Sequence, residues 1–142
     1  MRKYIVLLLL ALGSAALLTA CSKTGSEPTQ TVTVQAQVST ITAEELNSML
    51  GSKDFTLVNV HIPYAGEIPQ TDLFVPFNAL EENREKLPQD KSTKIVLYCR
   101  SGGMSAAASQ KLLELGYKYI FDVKGGMNAW SGAGYKLIEK QP

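Results

Sequence analysis

The strongest constraint on this chain is an alternation. Three short β-rich runs, FTLVNV (Phe55 to Val60), KIVLYC (Lys94 to Cys99) and YIFDVKGG (from Tyr119), are separated by stretches that read as helix. Between the first two, NALEENREKLP offers Asn78 as an N-cap, carries Leu80 and Leu87, and stops at Pro88. Between the second and third, SAAASQKLLELGY places Ala107, Leu112, Leu113 and Leu115 at apolar positions, with Gly116 as C-terminal cap. Ahead of them, Thr42 and Glu45 are spaced as a capping box before Leu46, Met49 and Leu50, and Gly51 ends that short helix. HIPYAGEIPQTD is broken by Pro63, Gly66 and Pro69 into a loop, and LFVPF reads as a short strand. GMNAWSGAGY reads as a short helical turn, and KLIE as a tail strand or coil. Strands alternating with helices predict an α/β domain on a mainly parallel sheet, with helices on both faces. In such sheets a ligand site lies beyond the carboxyl ends of the strands, and Cys99 ends the strongest run.

The N-terminus reads differently. Met1-Arg2-Lys3 is a short basic region, Tyr4 to Leu18 is mostly apolar, and Leu18-Thr19-Ala20-Cys21 comes next. The order is that of a signal peptide over residues 1–20, and the apolar run is short for a membrane span. The last four residues resemble a bacterial lipobox, in which the cysteine becomes the lipidated first residue. An ordinary signal peptide with an incidental cysteine is the alternative. Residues 21–38, rich in Ser, Thr, Gln, Gly and Pro, read as a flexible tether, leaving residues 39–142 as the domain. The expected product is an exported, lipid-anchored protein whose domain faces the periplasm or the cell exterior.

Charge excludes some partners. The whole chain carries a formal +1, and removal of Arg2 and Lys3 leaves 12 basic against 13 acidic residues. Neither balance makes a field that attracts nucleic acid. With Cys21 committed to lipid, Cys99 has no partner for a disulfide, and an unpaired thiol in an exported protein is either inert or reactive.

The residues after Cys99 favour reactivity. In YCRSGGMS, a strand-to-helix loop brings Arg100, Ser101, Gly102, Gly103, Met104 and Ser105 into series after the thiol. Glycines permit the turn that aims backbone N–H groups inward, and the helix dipole adds to them. Such amides hold an anion and favour thiolate over thiol. Arg100 brings a positive charge, and Ser101 and Ser105 bring hydroxyl donors, Ser105 also being placed to cap the helix. The plainer alternative is a small apolar residue ending a strand.

IVLYCRSGGMSAAASQKLLELGY with VKGGMNAW after it resembles a rhodanese domain over roughly Ser39 to Lys136. The resemblance implies a rhodanese-like three-layer α/β domain and a six-residue loop, Cys99 to Met104, around a sulfur-carrying thiolate. Phosphatases of the same fold have a loop one residue longer that typically ends in arginine. Here the loop is short, and Met104 stands where that arginine would be. Both features point to sulfur rather than phosphate. The implied reaction is thiosulfate-sulfurtransferase-like, through a Cys99 persulfide, from a small sulfane-sulfur donor to a thiol or other nucleophilic acceptor, with no cofactor or metal. In the family, GGMNAW is mainly structural, and Trp130 is expected in the core.

The chain departs from the family elsewhere. The usual Asp-x-Arg strand end is Asn59-Val60-His61 here, and the usual Gly-His-Ile-Pro is Gly66-Glu67-Ile68-Pro69. His61, the only histidine, is either a structural substitute or a base or donor facing Cys99. Glu67 is either a solvated carboxylate or an acidic wall of the substrate pocket, and Tyr64 and Asp72 are weaker candidates for that wall. The residues are compatible with three functions: a sulfurtransferase, a non-catalytic rhodanese-like binding module, and an oxyanion enzyme such as a phosphatase or arsenate reductase.

Overall fold

The computed structural model describes residues 35–140, and the signal peptide, Cys21 and most of the expected tether lie outside them. Five strands form one sheet: β1 (Gln37–Ile41), β2 (Thr56–Asn59), β3 (Leu73–Phe74), β4 (Ile95–Tyr98) and β5 (Tyr119–Val123). Their order is β1-β5-β4-β2-β3, and every pairing is parallel. Three helices accompany them: α1 (Ala43–Leu50), α2 (Gly103–Glu114) and α3 (Gly126–Gly132).

Parallel strands need crossovers, and these cover both faces. Side chains alternate along the central strand β4. Val96 and Tyr98 join Leu57, Leu46, Leu50, Met127 and Trp130 in the core under α1 and α3. Ile95, Leu97 and Cys99 join Val58, Val60, Ala108 and Leu112 in the core under α2. Both faces of the sheet are thus dry, which gives the three layers expected from the alternation.

The local signals in the sequence act as their chemistry demands. Thr42 Oγ1 accepts from the Glu45 amide at 3.2 Å, while the Glu45 carboxylate accepts from the Thr42 amide at 2.7 Å, closing the capping box at the start of α1. At the end of α2, the amides of Gly116 and Tyr117 turn back to the carbonyls of Leu113 and Leu112, the paired bonds of a glycine-terminated helix. LFVPF contributes the two-residue strand β3. KLIE forms a single antiparallel bridge, Ile138 to Glu67.

Three expectations need correction. Asn78 to Pro88 is a series of turns and not a helix. Of its residues only Leu80 and Leu87 reach the core, too few for a segment this short to overcome helix nucleation. The Asn83 side chain also donates to the Ala79 carbonyl at 2.8 Å, competing with the ladder. Second, β1 carries no strand signal of its own in the sequence, and its first residues lie in the stretch that reads as tether. Its pairing with β5 from Gln37–Tyr119 to Ile41–Val123 makes it an edge strand. Third, Ala107 is exposed, and the buried face of α2 is Ser105, Ala108, Ser109 and Leu112. Two serines on that face make its pattern hard to read.

Candidate active site

Cys99 comes directly after β4 at its carboxyl end, and the chain turns at once into α2. The turn depends on Gly102, the residue before the helix, whose φ of 104° is left-handed. This brings the Gly102 amide to 3.0 Å from Cys99 Sγ. α2 therefore starts earlier than a Ser105 cap would have it. Ser105 is the third helical residue and caps nothing. Its buried hydroxyl donates toward the Gly102 carbonyl at 3.1 Å and lies 3.6 Å from Cys99 Sγ.

Opposing forces act on the thiol. Burial pushes its pKa up, because only 1% of Cys99 is exposed. The Ser105 amide and hydroxyl and the amides of Ser101 and Gly102 together outweigh burial and hold it below the ordinary thiol range. The loop is thus a cradle that favours a sulfur anion.

The cradle is fastened from outside by α3. The Met127 amide donates to the Cys99 carbonyl at 2.9 Å, and the Asn128 amide to the Arg100 carbonyl at 3.0 Å. Helix and loop approach so closely that a Cβ on Gly126 would lie 2.0 Å from the Cys99 oxygen. Trp130 is buried in the core, its Nε1 donating to the Lys136 carbonyl at 3.0 Å. GGMNAW is therefore a clamp on the cradle's backbone.

The remaining candidates separate into near and far. Arg100 is exposed and lines a cavity of about 260 Å³ with Ala65, Met127, Asn128, Ser131 and Leu137. Ser101 and Gly103 are exposed, and Met104 is half-buried against the α2-side core. His61 lies at the neighbouring strand end, since Val60 bonds the Tyr98 carbonyl one residue before the cradle. It is buried with Nδ1 unpartnered, and burial and the Arg100 charge both lower its pKa, so it is neutral at pH 7. Asn59 explains its own departure from an acidic residue. Its amide donates to the Gly66 carbonyl at 3.1 Å while its oxygen accepts from the His61 amide at 3.0 Å. A carboxylate can accept but cannot donate.

Glu67 lines a cavity other than the one beside Arg100. Its neighbours are Ile138, Tyr98 and Lys140, and that cavity, of about 370 Å³, is also lined by Thr71, Phe74, Lys86 and Lys140. Burial raises its pKa, against the lowering effect of Lys140. Tyr64 accepts from the Lys140 amide, and Asp72 accepts from the Leu57 amide and pairs with Lys53, so both are tied into the framework. Sequence reasoning did not single out Asp122, a half-buried carboxylate of β5 opposite Leu97, whose pKa burial raises. The available signal was a lone charge inside the strand YIFDV. Among the described residues no group of three or more His, Cys, Asp or Glu is placed to hold a metal.

A family model described as Rhodanese-like domain matches residues 42–133. A sulfurtransferase from Allochromatium vinosum is 30% identical over 105 residues, which are 71% of this chain and 95% of that protein. The probable adenylyltransferase/sulfurtransferase MoeZ of Mycobacterium tuberculosis is 34% identical over 101 residues, 68% of this chain but only 25% of MoeZ. The crystal structure of a rhodanese-related protein from Thermoplasma volcanium matches with a TM-score of 0.62 and 30% identity, over 72% of this chain and 99% of that one. With a parallel sheet, a cysteine at the end of its central strand and an amide cradle around the sulfur, this chain belongs to the rhodanese-like domain family, whose sulfurtransferase-named members it resembles.

Proposed function

We propose that the protein moves sulfane sulfur through a persulfide on Cys99, outside the cytoplasm and tethered to a membrane by lipid on Cys21. The observation that carries the reading is the Gly102 amide 3.0 Å from Cys99 Sγ at the start of α2, in a short glycine-bearing loop. A thiolate held there attacks the outer sulfur of a donor, for example thiosulfate. One S–S bond forms as another breaks, sulfite leaves with its electron pair, and Cys99 carries S–S⁻. A nucleophilic acceptor then attacks the outer sulfur and returns the Cys99 thiolate. The enzyme contributes anion stabilisation at both stages, because the amides that hold the thiolate also face the persulfide. Ser101 and Gly103 on the open side of the loop, and Arg100 beside its cavity, are assigned to a small anionic donor. Met104 supplies no positive charge for a phosphate's oxygens. His61, neutral and at the cradle's rim, is assigned a hydrogen bond to donor or acceptor. Glu67, which lines a different cavity from Arg100, is not assigned contact with the sulfur.

The test is mass measurement of the purified protein after incubation with thiosulfate, polysulfide and a thiol persulfide. Gain of one sulfur atom, absent in Cys99→Ser and removed by a thiol acceptor, is the expected result. An unchanged mass with every donor, while Cys99 still alkylates, refutes sulfur transfer and favours a binding module. Hydrolysis of an aryl phosphate that is lost in Cys99→Ala would instead point to oxyanion chemistry. For the tether, Cys21→Ser should release the protein from membranes into the soluble fraction.

A further inference from the structure

The cavity that Glu67 lines contains a carboxylate with nothing to bind. Glu67 is 3% exposed, and its Oε2 is buried with no hydrogen-bond partner. Its backbone is pinned, because its amide donates to the Ile138 carbonyl and its carbonyl accepts from the Ile138 amide, both at 2.8 Å. The last torsion of a glutamate side chain is soft, so either oxygen can turn to the cavity. A buried carboxylate without a donor is costly, and burial disfavours the charged form of this one.

The hydroxyls nearby have no proton left to give it. Thr71 donates to the Ile68 carbonyl at 2.7 Å and shares a 2.6 Å bond with the Tyr98 hydroxyl. A hydroxyl carries one proton, so Tyr98 is the donor in that second bond and its proton is spent as well. Asp72 accepts from the Leu57 amide and pairs with Lys53, and a carboxylate donates nothing. The two cations of the cavity, Lys86 and Lys140, form no ion pair among the described residues. Lys140 is held in place by its backbone, its amide donating to the Tyr64 hydroxyl at 2.9 Å. Tyr64 in turn packs edge-on against Phe74, with ring centres 5.6 Å apart. Phe74 and Leu73 give the cavity an apolar wall.

This cavity therefore lacks one donor for Glu67 and one anion for the two lysines. An ammonium and a carboxylate on the same carbon supply both. We propose that the cavity binds a free α-amino acid with an apolar side chain, its ammonium on Glu67, its carboxylate on Lys86 and Lys140, and its side chain against Leu73 and Phe74. A simple amine would leave the lysines unmet, and a simple carboxylic acid would leave Glu67 unmet. Charge-assisted bonds of both signs inside one cavity select for the zwitterion. The volume of about 370 Å³ is at the small end for ligand cavities, which suits a single amino acid. The site uses neither Cys99 nor its loop, so it stands independently of sulfur transfer.

The full chain is titrated calorimetrically near neutral pH with L-leucine, with isoamylamine, which is leucine without its carboxylate, and with N-acetyl-L-leucine, whose ammonium is capped. L-leucine should bind, and each analogue should bind at least about tenfold more weakly for the charge-assisted bond it lacks. Glycine should also bind more weakly than L-leucine, because it has no apolar carbons to set against Leu73 and Phe74. Glu67→Gln keeps the shape and removes the charge. It should weaken L-leucine at least about tenfold without weakening N-acetyl-L-leucine. Replacing both lysines, Lys86→Ala with Lys140→Ala, should weaken L-leucine without weakening isoamylamine. The amide resonances of Ile68 and Thr71 should shift as L-leucine is added to the wild type. No heat and no shift at about 10 mM L-leucine, equal binding of L-leucine and either analogue, glycine as tight as L-leucine, or a Glu67→Gln chain that binds like the wild type overturns the proposal. The analogue comparison needs only the wild type, so it decides even if a variant fails to fold. A chain that binds L-leucine and never gains sulfur would refute sulfur transfer and leave this site standing.

Discussion

Substituting Gly126 with alanine should damage the site without touching the sulfur. The new Cβ would lie 2.0 Å from the Cys99 oxygen, 2.8 Å from its carbonyl carbon and 3.1 Å from the Arg100 carbonyl carbon. Cβ contacts under 3.0 Å are essentially never seen, so loop and helix must part by about 1 Å. That separation breaks the bonds from Met127 to Cys99 and from Asn128 to Arg100. Two hydrogen bonds at about 1 kcal/mol each, with about 1 kcal/mol for an alanine at a left-handed φ of 52°, give about 3 kcal/mol of destabilisation. For a domain of this size the melting temperature should fall by about 12 °C or more. The same shift moves Cys99 against the amide of Gly102, so a misplacement of about 1 Å can cost about a hundredfold in sulfur transfer. Thermal unfolding and the alkylation rate of Cys99 at neutral pH measure the two effects separately. Gly103→Ala is the control, because a Cβ there meets nothing within 4 Å, and its melting temperature should hold or rise. A Gly126→Ala protein that melts with the wild type and alkylates at the same rate would refute the clamp.

Two further outcomes concern groups away from the sulfur. Burial raises the Glu67 carboxyl above its ordinary 4.5, so the native state holds that proton more tightly than the unfolded chain. The stability this confers is present below about pH 4.5 and is lost as pH rises through the native value. Glu67→Gln should therefore raise the melting temperature at pH 7 and leave it near the wild type at about pH 4; an equal change at both pH values would contradict this account. Tyr98→Phe removes the hydroxyl that accepts from the Ile68 amide at 3.1 Å and shares a 2.6 Å bond with Thr71. Leaving that buried amide unpaired should cost about 1–3 kcal/mol. Because Tyr98 points to the α1 side, Cys99 alkylation should not change, and a protein that keeps its stability would show that the amide finds another partner.

The Cys99 loop was legible because its chemistry is local. Strand, thiol, glycines and helix succeed one another in the chain, and the amides that meet the sulfur belong to residues within one helical turn or two of it. The capping box of α1 and the glycine end of α2 were legible for the same reason. Asn78 to Pro88 misled because its cap and leucine signals are real, while the decision for turns rested on how little of it could be buried. β1 was invisible because QVSTI has weak apolar pattern, and what makes it a strand is the free edge of β5.

From the sequence by itself came the α/β alternation and the glycine-bearing strand-to-helix loop that surrounds the Cys99 thiol, since each depends on neighbours along the chain. Only the tertiary structure decided the rest. It fastened the cradle to α3 through Gly126, set His61 beside Arg100, put Glu67 and Arg100 in different cavities and placed Asp122 between Leu97 and Thr40. These are contacts between residues distant in the chain, or separations where nearness was expected, and strand order rather than chain order determines which side chains share a layer.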